Sequence, residues 1–323
     1  MHKNNKFHSW VLLIVCASIL HLGSSICLYA LGPGTTGIPF LKIAPGARAV
    51  GMGEAFVALA DDATALYWNP GALTQIEGVQ IAYMHNFWFQ NISYDYIGYV
   101  QGFRNSEGER FGISIAMLNI GEIQRTLEDA SGNYAGTGNT FNSYDLAVAL
   151  SYAWKMRENI GIGTSLKFIR STIDDVDGYT VSADLGFLWV LTSKLSIGVN
   201  AQNSILPIAI RYYRGNTAVS ASHSLPMNIK AGAAYKFNNK LTLGLDVNVP
   251  IDNRLNVHIG AEYWYENFAV RAGYKTDFIQ DIDILSGLSV GMGFKWKNYQ
   301  VDYAFVPYGD LGSTHRVSLL AKF

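Results

Sequence analysis

Sulfur, charge and long apolar runs are all scarce in this chain. Its 323 residues include two cysteines, Cys16 and Cys27, both in the first thirty positions. A chain cut after that leader has no cysteine, which excludes disulfides and cysteine metal sites. Charged residues make up 15% of the sequence, against roughly 25% in a typical soluble domain. With 24 Lys+Arg against 25 Asp+Glu, the formal charge is -1, so the strongly basic surface that nucleic acid would favour is missing. No stretch after the leader approaches the ~18 consecutive apolar residues of a membrane-crossing helix. What is abundant instead is 49% hydrophobic and 13% aromatic content, with 32 Gly and 19 Tyr. That excludes a disordered chain and is far from a helical-bundle profile. It fits a protein whose surface mostly does not face water.

Residues 1–30 read as an export signal. Lys3 and Lys6 precede an apolar core at 11–20, and small and mixed residues follow up to Ala30. The core is nearer ten residues than the ~20 a spanning helix needs. Bulky Ile26 beside Cys27 argues against a lipoprotein. Removal of Lys3 and Lys6 with this segment leaves 22 basic and 25 acidic residues, a net charge of -3.

From 78 to 323 the pattern has period two. Leu243, Leu245 and Val247 alternate with Gly244 and Asp246, and Val257, Ile259 and Ala261 with His258 and Gly260. Fourteen such segments fall near 78–87, 92–103, 110–120, 143–155, 158–170, 179–190, 193–203, 225–237, 240–250, 253–265, 267–277, 285–297, 299–307 and 314–323. Most run 9–13 residues, close to the roughly 9–11 of a tilted membrane strand and longer than the usual ~5–6. Short turns at 155–159, 191–193, 238–239, 266–267 and 297–298 alternate with longer loops near 121–142, 171–178, 204–224, 278–284 and 308–313. That alternation, with an even strand count, predicts an all-β, 14-stranded antiparallel transmembrane barrel. Because hydrocarbon cannot hydrogen-bond an open edge, the sheet must close. The apolar stripes then face lipid, and His258, Glu262, Arg271, Lys275, Lys295 and Asp302 face the lumen. Trp154, Trp189, Phe237, Tyr265, Phe268, Trp296, Tyr299 and Phe323 are expected to ring one interface. Phe87, Trp88, Phe89, Phe168 and Phe305 are expected at the other.

Residues 31–77 do not alternate. They contain turn-rich Gly and Pro, and a short helix is expected within 54–66, interrupted by Asp61 and Asp62 and ended before Pro70. A compact, small-residue segment ahead of a barrel suggests a plug in the lumen. Asp61 and Asp62 are candidates for ion pairs to the wall, and Asn69 for bracing the turn. His258 and Glu262 lie about 13 Å apart along an extended strand, too far to share a metal directly. Asp174, Asp175 and Asp177 form an acidic loop better read as solvated than as a Ca²⁺ site. No nucleophile–base arrangement, phosphate loop or paired-carboxylate site stands out, so neither an enzyme nor a cofactor is expected.

The stretch GARAVGMGEAFVALADDATALYWNPGAL at 46–73 resembles the N-terminal signature of the PorV/PorQ family, itself similar to FadL-type fourteen-stranded transporters. The matching positions are Gly51, Gly53, Ala55, Asp61, Asp62, Ala63, Asn69 and Pro70; Gly71-Ala72 reverses the family's usual Ala-Gly. The resemblance implies an outer-membrane protein of a Gram-negative bacterium of the Bacteroidota kind, bedded in outer-membrane lipids. It also implies a part in the type IX secretion system, PorV-like in receiving secreted cargo beside a larger translocon barrel or PorQ-like in surface attachment. Ile205, Leu206, Ile208 and Ile210 form a candidate partner-docking loop. Two alternatives stay open. One is FadL-like uptake of an apolar ligand, which needs an apolar pocket above the plug and a lateral gap, with Pro207 and Pro226 near such a place. The other is a plugged structural barrel.

Overall fold

The computed structural model describes residues 32–103, 108–206, 208–220, 222–278 and 284–323; the export signal expected at 1–30 and Pro207 lie outside them. Sixteen strands are present among these residues: β1 (Val79–Phe87), β2 (Ser93–Gly102), β3 (Arg110–Glu128), β4 (Tyr134–Arg157), β5 (Ile160–Ile173), β6 (Val176–Val190), β7 (Leu195–Gln202), β8 (Arg211–Arg214), β9 (Thr217–Ala218), β10 (Asn228–Lys236), β11 (Leu241–Pro250), β12 (Asn256–Tyr265), β13 (Phe268–Lys275), β14 (Leu288–Trp296), β15 (Tyr299–Pro307) and β16 (Ser313–Lys322). All but β8 and β9 form one antiparallel barrel. It closes where β1 pairs with β16, Gln80 opposite Lys322 and Phe87 opposite His315.

Closure follows from the alternation. Along β12 and β13, Ile259, Tyr263 and Val270 are exposed on the outer face, while His258, Glu262 and Arg271 are buried inside. The expected ring at the short-turn end is all surface-exposed, from Trp154 and Trp189 to Trp296 and Phe323. An exterior this apolar is solvated by lipid rather than water, and a charge on it would cost a few kcal/mol at mid-bilayer. Both ends of the barrel chain meet at the short-turn rim, where the Val79 N–H donates to the Phe323 carbonyl at 3.0 Å.

Three expectations are corrected by the strands themselves. The loop read at 121–142 is mostly sheet, because β3 and β4 continue as a hairpin arm past the partner strands β2 and β5. The loop read at 171–178 is a two-residue turn, Asp174-Asp175, between β5 and β6. Lys295 has the inward phase but is exposed, because it sits at the short-turn rim of β14 beyond the packed interior.

Strand β7 is short and leaves the upper edge of β6 unpaired by a barrel strand. Loop backbone takes its place. Ser204 and Ile205 donate to the Ala183 carbonyl, and β8 pairs with β6 from Tyr179 to Val176. In this loop Ile205, Leu206 and Ile208 are exposed, but Ile210 is fully buried, which removes it from the exposed patch. Its backbone bridge to His223 turns it inward against Ile38, Phe40, Tyr94 and Leu225.

Segment 32–77 lies inside the barrel. It carries two short helices, α1 (Ala47–Gly51) and α2 (Ala65–Trp68), and 3-10 turns at Pro39–Lys42 and Pro70–Gln75. The helix expected within 54–66 does not form. Gly53 and Glu54 both adopt positive φ, 63° and 65°, and the chain bends away after Met52. The Asp62 carboxylate then takes the Thr64 N–H, a local bond that competes with helix.

Candidate functional site, the packed lumen

An irregular segment buried in a barrel must have its backbone groups satisfied from outside itself. Here the inward polar residues of the wall do this. Asp246 Oδ2 accepts the Phe56 and Val57 N–H groups at 2.7 and 2.9 Å. Ser318 Oγ accepts from Ala47 N at 2.7 Å, and Ser289 Oγ from Gly53 N at 3.0 Å. Asn200 donates to the Trp68 carbonyl, Gln202 to Tyr67 and Arg316 to Ala44. Asn69 spans both sides. Its Oδ1 accepts the Gly71 N–H, while its Nδ2 donates to Val57 in the segment and to Phe187 in the wall. Pro70 follows it at the first position of a 3-10 turn, where its missing N–H costs nothing.

Wall glycines let the backbone come this close. A Cβ on Gly198 would meet the Val57 carbonyl, one on Gly244 the Ala55 carbonyl and one on Gly260 the Met52 carbonyl. Gly53 is restricted twice over. Its φ is +63°, and a Cβ there would lie 2.6 Å from Tyr274 N and 2.8 Å from the Ile259 carbonyl. Gly51 packs against Gly291, where a Cβ would lie 3.0 Å from the opposite Cα.

Charge ties segment to wall at one cluster. Arg48, on α1, donates from Nε and Nη2 to the two Glu262 oxygens at 2.9 Å each. Its Nη1 bonds Asp61 and lies 3.3 Å from Asp62. Behind Glu262, Arg271 Nε donates at 2.7 Å, and Arg271 Nη1 lies 2.8 Å from Asp302. Lys236 of the wall reaches Asp61 at 3.8 Å. Burial opposes ionisation of the Asp61 carboxyl, but Arg48 and Lys236 outweigh it and hold it below the usual carboxylate range. A second cluster joins Glu54 to Lys275 at 2.7 Å, with His258 3.1 Å from Asp277. Burial again works against the charge, yet Lys275, His258 and other cations bring the Glu54 carboxyl down to about 2. Asp277 is likewise lowered against its burial, by His258 and Lys275.

The structure therefore brings together Gly51, Gly53, Asp61, Asp62, Asn69, Pro70, His258, Glu262, Arg271, Lys275 and Asp302, and leaves out Lys295. His258 and Glu262 serve separate ion-pair clusters. Asp174, Asp175 and Asp177 diverge to Arg125, Arg214 and Arg170, so they do not converge on a cation. No group of three or more metal-ligating side chains occurs among the described residues. Sequence reasoning passed over Arg48, Asp246 and Arg316. Only Arg48 carried a signal, as the lone cation in the 46–73 stretch.

Two interior regions flank the segment on the long-loop side. Toward β1–β5 lies an apolar cluster of the buried residues Ile38, Phe40, Met84, Tyr96, Ile169 and Ile210. Toward β10–β12 a polar chamber of about 110 Å³ is lined by Lys230, Asn228, Asn248 and Asp277, among others. An apolar hollow of about 610 Å³ lies on the outer face, among Leu243, Leu245, Ile259, Ala261 and Leu288.

Solved structures share this architecture. A Pseudomonas aeruginosa FadL homologue aligns with TM-score 0.58 at 13% identity, over 87% of this chain and 99% of that one. The Pseudomonas putida toluene transporter TodX gives 0.55 at 12%, over 86% and 96%. The monoaromatic hydrocarbon channel CymD gives 0.55 at 17%, over 91% and 98%. At such identities the likeness is one of fold. No curated protein matches in sequence. The family model described as type IX secretion system protein PorV matches residues 33–252, a stretch that holds the whole packed segment and most of its wall contacts. This outer-membrane barrel belongs to the PorV family of type IX secretion system proteins.

Proposed function

We propose that the chain is an accessory barrel of the type IX secretion system in the outer membrane of a Gram-negative bacterium, one that holds a protein partner and catalyses nothing. The observation that carries this reading is the family match together with a lumen filled by segment 32–77. A barrel held shut by ion pairs and backbone bonds works through its exterior. Three surfaces suit a protein partner: the hairpin arm of β3 and β4, the exposed Ile205, Leu206 and Ile208, and the apolar outer wall. The partner would be a larger translocon barrel or a secreted protein in transit.

Uptake of apolar molecules is the second reading, favoured by the fold shared with TodX and CymD. Its chemistry fits less well among the described residues, where the chamber beside the segment is polar and the apolar hollow of about 610 Å³ faces outward. Affinity capture of the tagged protein from detergent-solubilised membranes separates the two. Recovery with a much larger barrel or a secreted protein supports the secretion role. A monomer carrying an apolar small molecule in its lumen overturns it in favour of uptake.

A further inference from the structure

A dent crosses the outer wall over β10–β13. Outward positions on three of these strands carry only methyl groups, Ala233, Ala261 and Ala272, and Ala261 stands directly opposite Ala272. Taller side chains, among them Tyr235, Leu243 and Tyr274, line the same space. The result is the apolar groove of about 610 Å³. Its lower end reaches the short-turn rim. Leu195 and Tyr235, which line it, are the first residue of β7 and the last but one of β10. Leu243 lies three residues above Lys240, roughly 10 Å along the strand.

The foot of the groove is basic. Lys194, Lys236 and Lys240 are exposed there, beside Leu195, Tyr235 and Leu241. Backbone bonds hold their turns side by side: Lys236 N–H donates to the Lys194 carbonyl at 2.7 Å, and Trp264 N–H to the Lys240 carbonyl at 2.8 Å. Lys295 and Lys297 continue the rim. Against these lysines the same turns carry one acid, Glu266, and the packed segment offers Asp61 to Lys236 at 3.8 Å. The Lys240 ammonium lies 6.0 Å from the centre of the Tyr265 ring, and that of Lys297 5.3 Å from Trp296. Both rings are exposed at the girdle, so these charges sit at headgroup depth. An apolar groove in a membrane wall is filled by a lipid chain or by a partner's side chains. The lysines decide between them, because they ask for an anionic head joined to an apolar chain. A second copy docked symmetrically across this groove would set one basic foot against the other.

We infer that this groove holds an acyl chain of an anionic phospholipid from the periplasmic leaflet, the side on which short turns lie, with its phosphate beside Lys194 and Lys240. The site does not depend on the secretion role. It is tested by mixing the purified protein in detergent micelles with equal amounts of palmitoyl-oleoyl phosphatidylglycerol and phosphatidylcholine, and weighing the retained lipid by native mass spectrometry. One phosphatidylglycerol is expected to be retained, favoured about fivefold or more, the scale of one lysine beside an anionic lipid surface. The double variant Lys194→Gln/Lys240→Gln is expected to hold the two lipids equally. Ala261→Phe fills the groove from the lipid side and is expected to lower retention of both. Lys155→Gln/Arg157→Gln removes two charges from the β4–β5 turn, away from the groove, and is expected to keep the preference. No preference in the parent, a preference surviving in Lys194→Gln/Lys240→Gln or lost in Lys155→Gln/Arg157→Gln, retention unchanged in Ala261→Phe, or the mass of a dimer in place of bound lipid would each overturn the inference.

Discussion

Arg48 is the side chain whose loss should free the packed segment most. It gives two hydrogen bonds to Glu262 and pairs with Asp61 and Asp62, and its side chain is only 13% exposed. Arg48→Met keeps the apolar stem and removes the charge. Glu262, whose side chain is 2% exposed, then keeps only Arg271. Breaking a buried ion pair from one side costs about 3–5 kcal/mol, since the remaining charge is left uncompensated. At ~1.4 kcal/mol per tenfold, the undocked population rises by about two to three and a half orders of magnitude. A fourteen-stranded barrel without its plug is wide enough to pass water and ions. Planar-bilayer recordings should therefore show frequent open events in Arg48→Met and rare ones in the parent. Adding Glu262→Gln removes the stranded charge and should recover part of the closed state, a coupling that a double-mutant cycle reads directly. Conductance and melting both unchanged in Arg48→Met would refute the reasoning.

Other perturbations have defined outcomes. Gly53→Ala combines a left-handed backbone with overlap against Tyr274 and Ile259, and should cost about 2–5 kcal/mol, read as a lower melting temperature in detergent. Glu54 is ordinarily near 4.5 and is held at about 2 when docked, so its contribution is complete above about pH 4.5 and is lost as pH falls toward 2. Melting followed from pH 6 to 2 should show a smaller loss in Glu54→Gln than in the parent, the remainder coming from Asp61 and Asp277, which are likewise held low when docked. Ile259→Lys on the outer face should cost about 2–4 kcal/mol if that position lies at mid-bilayer, read by denaturant titration in vesicles, whereas Lys295→Gln at the exposed rim should change little.

The strands were legible because the two faces of a membrane barrel obey opposite rules. Leu243, Val257 and Val290 had to be apolar, and their neighbours were free to be Gly, Asp or His. The same logic explains the failure at 121–142. There the β3–β4 arm stands clear of the rest of the wall, and both faces meet water at Glu122, Gln124, Arg125 and Thr137, so no alternation marks it as sheet. Lys295 misled for a related reason: phase gives the direction of a side chain but not whether anything is packed above it. The absent helix at 54–66 and the ion-pair cluster share one cause. Phe56 and Val57 bond to Asp246, and Arg48 bonds to Glu262, roughly two hundred positions away, which local pattern cannot register. Asp61, Asp62 and Asn69 could be singled out as a set, but their partners could not.

The most direct test of the whole account is the environment of successive residues along one strand. Single cysteines placed from 257 to 263 in a chain whose Cys16 and Cys27 are replaced by serine, spin-labelled and reconstituted in lipid, would report it. Lipid-dissolved oxygen should broaden labels at Val257, Ile259, Ala261 and Tyr263, while those at His258 and Glu262 stay shielded from both oxygen and aqueous nickel by segment 32–77. Water exposure at Ile259 with oxygen access at His258, or no alternation at all, would contradict a lipid-facing wall closed around a packed lumen.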